Sequence, residues 1–128
     1  MDTPKTANNR PPGKTTIAPG VLIDIVRLTT EETAGVHSLS PVPGGVNRLF
    51  HRGYADGIRL EIQDDRVYAD IYVILENSVN IRNVSRNIQK RVARAISDMV
   101  GMPVGRVNIH IEDIAYPQPQ DNIAVEQE

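Results

Sequence analysis

The sequence predicts an α+β fold: a two-layer sandwich in which two helices cover one face of a small mixed sheet. Three observations lead there. Two segments repeat apolar residues at three- and four-residue spacing, which stacks them on one side of a helix. Other segments alternate apolar and polar residues, the period of a half-buried strand. The segments follow in the order β–α–β–β–β–α–β, and each has one aliphatic side that must be buried against another.

Thr15, Thr16 and Ile17 form a β-prone run and give the first expected strand. Pro19 and Gly20 open a helix, since proline costs little where the first-turn N–H groups have no partner anyway. Val21, Leu22, Ile25, Val26 and Leu28 form its stripe, which fades near Gly35. Val36 to Ser40 is a short strand stopped by Pro41 and Pro43. The stretch from Pro41 to Asp56 is expected to be a long loop, of the kind that is often functional. It mixes Arg48, His51 and Arg52 with Leu49, Phe50 and Tyr54.

Ile58, Leu60 and Ile62 alternate with Arg59, Glu61 and Gln63. Asp64 and Asp65 supply a tight turn, and Val67, Ala69, Ile71, Val73 and Leu75 mark a returning strand, so the pair forms a hairpin. Asn80 can cap a second, longer helix with its side-chain oxygen. Gly101 can end it and Pro103 blocks its continuation. Val107, Ile109, Ile111 and Ile114 mark the last strand, with Asn108, His110 and Glu112 on its other face.

The chain has 128 residues, enough for one domain. The expected layout is a disordered arm over 1–13, a folded unit over 14–116 and a disordered acidic tail over 117–128. With no Trp and one Phe, the core has to be built from Ile, Val and Leu. The absence of cysteine excludes disulfides, thiolate metal sites and cysteine nucleophiles. No apolar run reaches the roughly 18 residues of a membrane span, and the first residues lack the apolar core of a signal peptide. The expected setting is cytoplasmic, with any membrane contact peripheral at the inner face.

Charge is segregated on the long helix. The chain carries a formal −2, yet Arg82, Arg86, Lys90 and Arg94 recur at four-residue steps opposite the aliphatic stripe. Such a ridge suits an anionic partner, such as an acidic protein, a phosphate backbone or a lipid headgroup; it is equally what a solvated helix face looks like. Tyr68 and Tyr72 share a strand face with Asp70 and Ile74, and Arg59, Glu61, His110 and Glu112 can join them. If both helices lie on the other face, this one is free for a partner or a second copy.

Catalytic constellations are not apparent. His37, His51 and His110 lie on different elements without metal-ligand spacing. Asp64 and Asp65 fit turn chemistry better than acid–base chemistry. Gly44 and Gly45 lack the Lys-Ser/Thr of a phosphate loop. The expectation is a non-enzyme with no cofactor and no metal.

Four stretches carry a resemblance: Thr33-Ala34-Gly35-Val36, Gly57-Ile58-Arg59-Leu60-Glu61, Val79-Asn80-Ile81 and Val107-Asn108-Ile109-His110-Ile111. In this order, over nearly all of 14–114, the chain resembles the alkaline shock protein family of bacterial cell-envelope and general-stress proteins. The resemblance implies a small, cytoplasmic, non-enzymatic protein of the stress response. It also implies recruitment, in some bacteria, by a membrane-anchored protein partner. It defines no site residues. The function expected is thus a binding or scaffold module that self-associates, with Arg82, Arg86, Lys90 and Arg94 as its charged contact and Tyr68 and Tyr72 as its packed one. The second reading is a small RNA-binding domain using the basic helix face. Against nucleic acid stand the missing GxxG loop between two helices and the missing aromatic strand motif.

Overall fold

The computed structural model describes residues 12–42, 54–55 and 57–117. Its elements, in chain order, are α1 (Pro19–Glu31), β1 (Val36–Leu39), β2 (Tyr54–Ala55), β3 (Ile58–Gln63), β4 (Arg66–Glu76), α2 (Ile81–Val100) and β5 (Val104–Ala115). Most of the expected arm and tail, and loop residues 43–53 and 56, lie outside the described residues.

The α+β class is as expected, and the sheet is mixed. β4 runs parallel to β5 on one edge and antiparallel to β1 and β3 on the other. That second edge is shared. β3 pairs with Arg66 to Ile71, and β1 pairs with Val73 to Leu75. The two short strands abut at Tyr72, whose N–H donates to the Gly57 carbonyl at 2.8 Å and whose carbonyl accepts from the Ser40 N–H at 2.8 Å. Gly57 has φ 81°, and a Cβ there would stand 2.7 Å from the Ser40 carbonyl oxygen and 2.8 Å from the Leu39 Cβ. Only glycine fits both the conformation and the gap.

Two element assignments change. Thr15 to Ile17 is exposed and forms no strand. β-propensity acts only through a ladder, and this run pairs with none of the strands. Within the expected loop, Tyr54–Ala55 instead pairs with Ile58 and Arg59 as a short outer strand.

The hairpin turn is the expected one. Asp64 and Asp65 both take left-handed backbone, φ 52° and 63°, between the paired Gln63 and Arg66. This twist suits a two-residue hairpin, and Asp tolerates it better than most residues.

The core lies between sheet and helices. Val67, Ala69, Ile71, Val73 and Leu75 point from β4 into it, each at most 2% exposed. Val26 comes from α1, and Val84, Ile88, Val92 and Ile96 from α2. α1 lies over β1 and β3, α2 over β5, and the helices pack on each other. Each buried Ile, Val or Leu contributes about 1.5–3 kcal/mol, so this aliphatic layer outweighs any surface ion pair.

α2 is closed at both ends. Asn80 Oδ1 accepts from the Asn83 N–H at 3.0 Å. Gly101, left-handed at φ 77°, donates its N–H to the Ser97 carbonyl. Asn80→Ala is expected to cost about 1 kcal/mol. A thermal melt checks this: the midpoint should fall by about 4–8 °C.

Candidate functional site

Two surfaces carry the candidate residues, and they lie on opposite sides of the molecule. The first is the outer face of α2. Val84, Ile88, Val92 and Ile96 are buried, and each ridge residue stands two positions from one of them. Two positions turn a helix by about 200°, so Arg82, Arg86, Lys90 and Arg94 are all exposed. From the first to the last is 12 residue steps, or about 18 Å of helix.

Their electrostatic surroundings differ. Arg94 lies 3.7 Å from Asp98, one turn on. The adjacent Arg91 reaches across to Glu32 of α1 at 3.9 Å. Arg82, Arg86 and Lys90 have no ion partner among the described residues. Beyond Arg94 the ridge meets a shallow groove of about 370 Å³ between the helices, lined by Glu32, Arg91, Arg94, Asp98 and Met99 among others.

The second surface is the sheet face without helices. Register brings Arg59 and Asn108 to either side of Asp70, Glu61 and Arg106 to either side of Tyr68, and His110 beside Tyr72. Asp70 is the hub. Its Oδ1 accepts from His110 Nε2 at 2.9 Å and from Asn108 Nδ2 at 3.1 Å. Arg59 Nη2 stands 3.7 Å from its Oδ2. The His110 ring stacks on Tyr72, with centroids 4.4 Å apart. The Arg106 guanidinium sits 5.6 Å from the centre of the Tyr68 ring. Gly105 makes room for that ring, since a Cβ at this position would meet it at 2.5 Å.

Burial pushes the Asp70 carboxyl up. The bonds from His110 and Asn108, with the charges of Arg59 and His110, more than offset this and hold it below the usual carboxylate range. A carboxylate lowered in the folded state contributes stability that is present above its unfolded pKa, about 3.9. That contribution disappears as pH falls through the lower folded value. Asp70→Asn is therefore expected to flatten the acid end of the stability curve below about pH 4. Urea melts at pH 3 and pH 7 check this, and an unchanged difference between them would reject it.

The two expected tyrosines are together, as the strand period implies, but they are not equivalent. Tyr72 is 9% exposed, largely covered within its own chain. It braces His110 rather than offering an open ring. Tyr68 is half-buried under Arg106 and remains partly open. Arg106 and Gly105 were not named from the sequence, and Asp70 and Asn108 were placed on their strand faces without a role. Their signal was there, an Asp between two Tyr and a Gly-Arg-Val-Asn-x-His run, but it becomes readable only once β4 and β5 are set in parallel register.

What this arrangement does chemically is hold donors and acceptors still. Fixed guanidinium, amide and imidazole groups beside an aromatic ring suit recognition of a polar surface. Among the described residues no three His, Asp or Glu side chains converge as metal ligands. No helix among them is long and apolar enough to cross a membrane.

Comparison with known proteins gives a family. The model of the alkaline shock protein 23 family, described as having a cell envelope-related function, matches residues 7–116. Protein Spy1535 of Streptococcus pyogenes serotype M6 is 39% identical over 105 residues, covering 80% of this chain and 79% of that protein. Protein YqhY of Bacillus subtilis is 25% identical over 118 residues, covering 91% of this chain and 87% of that protein. Among solved structures, the copper form of the MamM C-terminal domain aligns with a TM-score of 0.48 at 10% identity, covering 77% of this chain and 89% of that domain.

Proposed function

The chain belongs to the alkaline shock protein 23 family, and on that premise we propose that it is a non-catalytic binding and scaffold module of the cell envelope. It works by contact. The ridge on α2 docks an acidic partner held at the membrane, and copies of the chain associate with one another. The partner is an anchored protein, so the chain itself is a peripheral component on the cytoplasmic side. A role in the envelope stress response follows from the same placement.

One observation carries this reading. Arg82, Arg86 and Lys90 stand in a row about 6 Å apart on a rigid, capped helix, and none has an ion partner among the described residues. A solvated helix face usually mixes its signs, as α1 does with the Asp24–Arg27 pair at 2.7 Å. Here three cations in a row carry no such pair among the described residues, although the chain as a whole is slightly acidic. The fixed polar cluster around Asp70, on the opposite side, lets a second contact form without competing with the first.

The test is sedimentation of the purified full chain with native envelope membranes, at low and moderate salt. Binding that falls steeply with salt and disappears after protease treatment of the membranes supports an acidic protein partner. Equal binding to vesicles of anionic lipid would replace that partner with the lipid itself. Tight binding to RNA with a log–log salt slope of about −3 to −4, the value for four phosphate contacts, would overturn the reading in favour of nucleic acid.

A further inference from the structure

We propose that a second copy of this chain adds to the free edge of β5, antiparallel and centred on Ile109. The proposal deepens the self-association put forward above and rests on that reading, but it names the sheet edge as the surface.

β5 pairs with β4 on one side, and among the described residues no strand pairs with its other side. It is one of the two longest strands, with 12 residues, so it presents a long row of backbone donors and acceptors. Such an edge is a template for another strand unless it is blocked. One outward carbonyl is visible directly: Val107 accepts from the Gln89 side-chain amide at 2.9 Å, from α2 rather than from β4. Backbone alternation places the groups of Ile109 and Ile111 on the same outer edge. Gln89 does not close the site, because a carbonyl has a second lone pair for a strand partner.

The side chains select the register. β5 shifts register with β4 at two points, leaving Gly105 and Glu112 as extra residues. The regular stretch between them is centred near Ile109. An antiparallel two-fold about Ile109 sets Arg106 of one copy opposite the partner's Glu112, and Glu112 opposite the partner's Arg106. It sets Asn108 opposite the partner's His110 on the same face, and Val107 opposite the partner's Ile111 on the other. Moving the two-fold by one residue in either direction loses both charge pairs. Arg106 and Glu112 are exposed, and neither has an ion partner among the described residues. The result is one continuous sheet through both copies, with both ridges left on the helix side.

The chain lacks cysteine, so cross-linking starts from a silent background. Full-length Arg106→Cys and Glu112→Cys proteins are prepared separately, then mixed and mildly oxidised. Opposed residues on antiparallel strands stand about 4.5–5.5 Å apart, within disulfide reach, whereas positions 106 and 112 of one strand are about 20 Å apart. A cross-linked dimer in the mixture and in neither protein alone is the expected result. As a second check, Arg106→Glu should weaken the wild-type dimer about tenfold or more in sedimentation equilibrium. Adding Glu112→Arg to it should restore the dimer. A wild-type chain that stays monomeric at all concentrations would overturn both this proposal and self-association. A dimer that forms without the mixed cross-link, or that the charge swap does not restore, would overturn the edge and leave self-association standing.

Discussion

Gly57→Ala is expected to be the most damaging single-methyl change among the described residues. The added Cβ would meet the Ser40 carbonyl oxygen at 2.7 Å and the Leu39 Cβ at 2.8 Å. Neither is the free end of a flexible side chain, so the backbone itself has to move. The left-handed conformation adds a cost of about 1–2 kcal/mol for any L side chain. Movement there also loosens the hydrogen bonds that join β1 and β3 to β4 at Tyr72. A total near 3 kcal/mol or more follows, which lowers the melting midpoint of a domain this size by about 10–20 °C. Gly20→Ala is the control. It lies in the first turn of α1 with nothing within 4 Å of the new methyl, and it should leave the midpoint unchanged or raise it slightly. Equal midpoints for the two variants, followed by circular dichroism, would contradict the end-to-end junction of β1 and β3.

Reversing the ridge should produce the largest functional loss with little effect on folding. In Arg82→Glu/Arg86→Glu/Lys90→Glu, three exposed side chains change sign and no buried contact is removed. Each reversal replaces an attraction to an acidic partner by a repulsion. With about 1 kcal/mol or more at stake per site, binding to native envelope membranes should fall at least a hundredfold. The melting midpoint should stay within a few degrees of the parent, since exposed charges contribute little to stability. A charge-neutral Arg82→Gln/Arg86→Gln/Lys90→Gln protein should fall between the two. Binding that survives reversal would move the contact to the sheet face around Asp70.

Much of this fold was legible because aliphatic periodicity and turn chemistry are local. The stripe Val84, Ile88, Val92 and Ile96, the Asn80 cap, the Gly101 stop and the Asp64-Asp65 turn all follow from neighbours within a few residues. The ridge was legible for the same reason, being the complement of that stripe. The misses are non-local. Thr15 to Ile17 has strand propensity but pairs with no strand of the sheet. Tyr54–Ala55 has little strand signal and pairs only because β3 lies beside it. The role of Asp70 depends on strands separated by 38 and 40 residues meeting in one register. The burial of Tyr72 depends on His110 arriving over it, so equal spacing in sequence gave two tyrosines unequal exposure.

The measurement that bears most directly on the envelope-scaffold reading is where a fluorescent fusion of the full chain sits in its native cell, compared with Arg86→Glu/Lys90→Glu. A peripheral ring that becomes diffuse in the double variant, at equal protein level, is the expected result and assigns recruitment to the ridge. A diffuse or nucleoid-centred signal for the unaltered protein would contradict recruitment to the envelope, and a ring that persists in the variant would contradict the ridge as its cause.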